Sequence, residues 1–258
     1  MGGRYSNFSI NPQTGEFLMS ESIPIPLIED DSISERNNEY IDILQDKNHI
    51  VCCSTDNFNY DLIEPNLRKL NKLIDKFPAI RYNLKENEIL IRGATFDDPR
   101  TSACFGHLPS YKQNMTIYLN KDYFTLPKNE VISVEEHERK IGHFSPCDKE
   151  EYITATLSHE YGHFIEKLII EKKLRNDENL FDKDINERSR EYKMQAVKIK
   201  NEILNIQKER FGLRNDQISE YGKVNSREFF AESFANLVNS KNPTTIAKAT
   251  EIYIKENL

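Results

Sequence analysis

The stretch Leu157-Ser158-His159-Glu160-Tyr161-Gly162-His163-Phe164 decides how this chain is read. It carries the pattern H-E-x-x-H inside a segment, 150–174, whose apolar residues recur at helical spacing. At about 100° per residue, Ile153, Leu157, Tyr161, Phe164 and Leu168 gather on one side, and His159 and His163 fall nearly opposite. The helix is expected to bury the apolar side in a core and to turn its histidines into a cleft. Two histidines four residues apart sit one turn apart on the same face, where two imidazole nitrogens can take one tetrahedral Zn²⁺. Glu160 then lies within reach of a water at that metal and can act as a general base. The chain has 6 histidines among 258 residues. At that frequency the pattern arises by chance in roughly one chain in a hundred.

A catalytic zinc needs a third protein ligand and one open position. One common class supplies a histidine six residues after the second one, with a glycine between. Glu166 and Ile169 occupy those places, which excludes it. The other common class takes a glutamate from a later helix. The run Tyr221-Gly222-Lys223-Val224-Asn225-Ser226-Arg227-Glu228-Phe229-Phe230-Ala231-Glu232-Ser233-Phe234-Ala235 meets that need. Glu228 and Glu232 are four apart and share a helix face, where two carboxylates repel unless a cation lies beside them. One arrangement puts Glu228 on the metal and lets Glu232 accept the free ring N–H of a ligand histidine, which fixes its tautomer. The exchanged arrangement, with Glu232 on zinc, is the alternative at this point.

Outward from these motifs the pattern is mixed. Residues 1–48 hold no sustained period, and Ile23-Pro24-Ile25-Pro26 favours extended backbone, so an extended or disordered arm is expected there. A catalytic domain is expected over 49–258, divided into an α+β part, 49–174, and a helical part, 175–258. Strands are expected at 49–54, 88–92 and 115–119, and a helix over 61–77 ended by Pro78. Residues 121–148 look like an irregular insertion. A charge-dense stretch from 175 leads into a helical run through Phe211, with Gly212 as its C-cap. Two more helices are expected at 226–239, with a Ser N-cap signal, and at 244–257, after Pro243.

A net charge of −7 argues against a nucleic-acid-binding surface. No apolar run approaches the roughly 20 residues that span a membrane, and the start lacks the apolar core of a signal peptide. Cys52, Cys53, Cys104 and Cys147 make no disulfide framework and are expected to be reduced thiols, which suits a cytosol. Met1-Gly2-Gly3-Arg4-Tyr5-Ser6 matches the short, frequent N-myristoylation pattern, with a plain leader as the rival reading. His137, His143 and Cys147 match no metal-ligand spacing and read as a solvated loop. His107 is placed near the cleft.

His159-Glu160-Tyr161-Gly162-His163, followed by Tyr221-Gly222-Lys223 and by the Asn225 to Ala235 run, resembles the catalytic domain of anthrax lethal factor and its zincin relatives. Similar motifs occur in peptidase domains of phage minor head proteins. The resemblance covers residues 110–258, with dense motifs at 156–164 and 218–238. It implies a zincin-like α+β fold, with a small mixed sheet packed on the active-site helix and a mostly helical C-terminal half. It implies Glu228 as third zinc ligand, Glu232 as the carboxylate behind a ligand histidine, and Tyr221 aimed at the metal from the opposite side of the cleft. It also makes Met115-Thr116-Ile117-Tyr118-Leu119-Asn120 resemble the edge strand that such folds place above the active-site helix. The function implied is zinc-dependent endopeptidase activity on a protein or peptide substrate, in a toxin or effector or in a phage or mobile-element protein. On that reading Zn²⁺ would be held by His159, His163 and Glu228, with Glu160 as the base and Tyr221 as the oxyanion partner. The alternative from another class is a catalytically silent zinc-binding structural or interaction module.

Overall fold

The computed structural model describes residues 8–10, 17–19, 26–27, 34–35, 40, 50–77, 89–97, 101–106, 115–174, 185–212 and 218–258. It is a mixed α+β structure. Short strands β1 (Phe8–Ile10) and β2 (Phe17–Met19) pair antiparallel. The main sheet holds β4 (Ile50–Cys53), β5 (Ile89–Phe96), β7 (Met115–Asn120) and β6 (Ala103–Gly106), side by side in that order. β4, β5 and β7 run parallel, and β6 runs antiparallel to β7. β3 (Pro26–Leu27) pairs with the far end of β5, on Phe96 and Thr95. Contacts thus cross residue 48: β3 joins the sheet, Ser34 donates its N–H to the Cys52 carbonyl, and Tyr40 is fully buried in the main core.

The expected strands at 49–54, 88–92 and 115–119 are present with small changes of extent, but the 115–120 strand is not the edge. Its register puts Ile117 against Ile91 on one side and Phe105 on the other, so β7 is interior and β6 ends the sheet among the described residues. Sequence reading missed β6. Ala103-Cys104-Phe105-Gly106 has neither alternation nor β-branched residues to announce a strand.

Helix α1 (Tyr60–Lys76) forms where expected. The Asn59 side chain accepts the Asp61 N–H at its start, and Leu62, Ile63, Leu67, Leu70 and Ile74 make one buried stripe. Residues 121–148 hold helices α2 (Lys121–Phe124) and α3 (Lys128–Lys140) rather than an irregular insertion. The buried face of α3 explains why no period was visible. It consists of Val131 with Glu135 and Glu138, and Glu135 accepts hydrogen bonds from the Tyr123 and Thr156 hydroxyls while pairing with Arg139. A helix that buries carboxylates with their partners shows no apolar stripe.

Helix α4 (Tyr152–Leu174) carries the H-E-x-x-H motif. It is buried on nearly every side rather than along one stripe, because α6 (Ser226–Asn239), α1, α3 and the sheet all pack on it. Gly162 sets that crossing: a Cβ there would lie 2.9 Å from Ala231 Cα and 3.2 Å from Phe234 Cβ. Helix α5 (Ile185–Phe211) buries Ala196, Ile199 and Ile203 and leaves its charged faces in solvent, and Gly212 closes it at φ +74° as expected. α6 is capped by Asn225, not Ser226: the Asn225 side chain accepts the N–H groups of Arg227 and Glu228. α7 (Thr245–Asn257) is capped by Thr244. The four cysteines are thiols, and burial pushes that of Cys52 up to about 12. Among the described residues no helix is long and apolar enough to cross a membrane.

Candidate metal centre

His159 and His163 stand on adjacent turns of α4, with ring centroids 4.9 Å apart and planes nearly perpendicular. They are 1% and 7% exposed, which polar rings accept only with partners. The partners come from α6, which the Gly162–Ala231 approach brings against α4. Glu228 places Oε2 3.0 Å from His159 Nε2 and 3.4 Å from His163 Nε2. Glu232, one turn on, places Oε1 2.8 Å from His159 Nδ1. Of the two glutamates, Glu228 faces both Nε2 atoms and Glu232 faces the Nδ1 atom of His159.

The donor set suits a divalent cation. Ligand atoms of His159, His163 and Glu228 lie within 4.8 Å of one another. A tetrahedron with bonds of about 2.0–2.1 Å has edges of about 3.3 Å, close to the 3.0 and 3.4 Å separations from Glu228 Oε2. Without a cation, both Nε2 atoms would need protons to face that oxygen, and His159 would sit as an imidazolium between two carboxylates. Burial pushes the Glu228 carboxyl towards its protonated form, but the charge available on His163 and hydrogen bonds from both rings outweigh it and hold its pKa well below the ordinary carboxylate value. Glu228 is thus poised as an anion facing two nitrogens.

Glu160 is 4% exposed. Its Oε2 accepts the Phe105 N–H of β6 at 2.7 Å, while the Phe105 ring packs 6.2 Å from Phe164. The base expected from the motif therefore sits between α4 and the edge strand. Burial, then the charge of Glu160, push the neighbouring Cys104 thiol well up.

Tyr221 opens a 3₁₀ turn, Tyr221–Lys223, and is 8% exposed. Its ring lies 5.6 Å from the His159 ring, and its N–H donates to the His143 carbonyl at 3.0 Å. The segment read as a solvated loop is part of this wall. His143 and Phe144 flank the Tyr221 ring at 5.6 and 5.9 Å, and the Ser145 N–H donates to Glu232 Oε2 at 2.6 Å. Ser219 also donates to Glu232 Oε2, at 2.7 Å. His137 is exposed on α3, and Cys147 accepts from Arg139 Nε, so neither joins a metal cluster with His143. His107 lies outside the described residues. Glu166, where the excluded class has glycine, is buried with Arg227 Nε at 3.5 Å; burial pushes its carboxyl up to about 7 against the pull of Arg227. Ser145 was beyond sequence reading because it acts through its backbone. Ser219 lay within the Tyr221 motif but carried no spacing of its own.

Comparison with protein-family models, with curated proteins and with solved structures found no match to this chain.

Proposed function

We propose that this protein is a zinc-dependent endopeptidase of the zincin type, with His159, His163 and Glu228 as metal ligands. The observation that carries the reading is the convergence of two imidazole Nε2 atoms on one Glu228 oxygen, with Glu160 held beside them at the sheet edge. Zinc bound there would supply Lewis acidity, acidifying water and polarising a carbonyl. Glu232 keeps the His159 Nδ1 as a donor, so the Nε2 lone pair points at the centre. Glu160 takes a proton on its carboxylate from the attacking water and returns it to the leaving amine. Tyr221, with its ring beside His159, offers its hydroxyl to the developing oxyanion. An extended substrate would be read by backbone hydrogen bonds along β6, not along 115–120, because β7 is interior.

One observation favours the rival reading of a zinc-bearing module without catalysis: Glu160 is already engaged by a backbone N–H. Digestion of a peptide library with and without a chelator decides between them. Chelator-sensitive cleavage that Glu160→Gln lowers by about 10²–10⁴, with zinc content unchanged, is the expected result. Protein that binds zinc and cleaves nothing in the library supports the silent module. Protein that takes up no zinc refutes both.

A further inference from the structure

We infer that Ser219 is a positioning residue that couples the carboxylate behind His159 to the turn that carries Tyr221. The inference rests on the metal-centre reading above and concerns residues outside the motif ligands.

Ser219 is 6% exposed. Its hydroxyl donates to Glu232 Oε2 at 2.7 Å and accepts the Gly222 N–H at 3.1 Å. The Ser145 hydroxyl approaches at 3.4 Å. A backbone N–H can only donate, so Ser219 Oγ must accept from Gly222. A carboxylate can only accept, so the one Ser219 proton must go to Glu232. The direction of every bond in the chain is thereby set. Glu232 Oε2 receives Ser219 and the Ser145 N–H, and Oε1 is left to receive the His159 Nδ1–H. That assignment keeps the proton on Nδ1, so Nε2 is the nitrogen His159 would offer to a metal beside Glu228.

A second contact ties the same two parts together. A Cβ on Gly222 would meet Glu232 Cβ at 3.2 Å, so the backbone of the Tyr221 turn lies directly against the stem of Glu232. The turn is held from outside as well: Glu220 N–H donates to the Gly142 carbonyl and Tyr221 N–H to the His143 carbonyl, both at 3.0 Å. One hydroxyl therefore closes the Tyr221 turn and orients the carboxylate that orients the ligand histidine. Loss of it is felt at the metal and at the tyrosine together.

The test uses the full chain as wild type, Ser219→Ala, Ser219→Thr and Ser219→Val. Zinc affinity is read by competition with a chromogenic chelator, and ligand geometry by the visible spectrum of the cobalt-loaded protein. Ser219→Ala is expected to weaken zinc about tenfold, the low end of what loss of a partner directly behind a ligand costs, since Ser219 stands one hydrogen bond further out than Glu232, and to shift the cobalt bands. Ser219→Thr, which keeps the hydroxyl, is expected to restore both, and Ser219→Val, its isostere without a hydroxyl, to match Ser219→Ala. Wild-type affinity and spectrum in Ser219→Ala or Ser219→Val overturn the inference while leaving the metal centre standing. Equal impairment in the Thr and Val variants also overturns it, since the effect then belongs to packing. Wild-type protein that binds neither zinc nor cobalt instead sinks the metal-centre reading itself. If the variants do not fold, hydrogen exchange of the wild-type Gly222 amide decides: protection supports the bond, and exchange at the rate of an open loop overturns it.

Discussion

Replacing Gly162 with alanine tests whether one close helix crossing builds the proposed metal centre. The added Cβ would sit 2.9 Å from Ala231 Cα and 3.3 Å from the Ala231 carbonyl oxygen, both backbone atoms that cannot rotate away. Ordinary contact begins at 3.4 Å, so α6 must retreat by about 0.5 Å. Overpacking of this kind costs about 1–3 kcal/mol. Alanine regains about 1 kcal/mol in the helix interior. The metal-free protein should therefore lose only about 0–2 kcal/mol, a small change in denaturant midpoint. Zinc binding should suffer more. The retreat acts on the 3.0 and 3.4 Å separations between Glu228 and the two histidines, which arise from opposite sides of this crossing. A ten- to hundredfold fall in zinc affinity is expected, comparable to losing a group that orients a ligand. Denaturation in the presence of chelator gives the first quantity and chelator competition the second. A Gly162→Ala protein that binds zinc as tightly as wild type refutes the claim that this crossing sets the ligand geometry.

Two further outcomes follow from the same structure. Glu228→Ala should remove most zinc binding, whereas Glu232→Ala should weaken it about 10–100-fold, as measured by metal content after dialysis; the reverse order would exchange their roles. Glu166 gives a pH signature. Its pKa is raised from 4.5 to about 7 by burial, so the folded state binds its proton more tightly than the unfolded state does. The stability this group contributes is therefore fully present below about pH 4.5 and lost as pH rises towards 7. Glu166→Gln should match wild type near pH 4.5 and exceed it at pH 8 by up to about 3 kcal/mol in metal-free denaturation. A difference that stays constant between those pH values would contradict this account.

What the sequence revealed and what it hid divide along physical lines. Features that repeat with the period of an element were legible: the stripe Leu62, Ile63, Leu67, Leu70 of α1, the paired histidines of α4 and the paired glutamates of α6. Features defined by a distant partner were not. α3 hides because Glu135 is buried against Tyr123, Thr156 and Arg139, contacts that no local pattern encodes. β6 hides because its four residues take their conformation from pairing with β7, and missing it put the sheet edge one strand too early. The wall built by His143, Phe144 and Ser145 was read as loop because its contribution is made through a backbone N–H, a backbone carbonyl and ring packing.

The contact of Glu160 with β6 also bears on how the sheet ends. β6 ends the sheet among the described residues, and a terminal strand offers its backbone groups to any passing strand. The Glu160 carboxylate occupies the Phe105 N–H at that border. A strand that added itself to this border would first have to take that N–H from the carboxylate. Under the proposed function, the same displacement would release Glu160 as a substrate strand arrives.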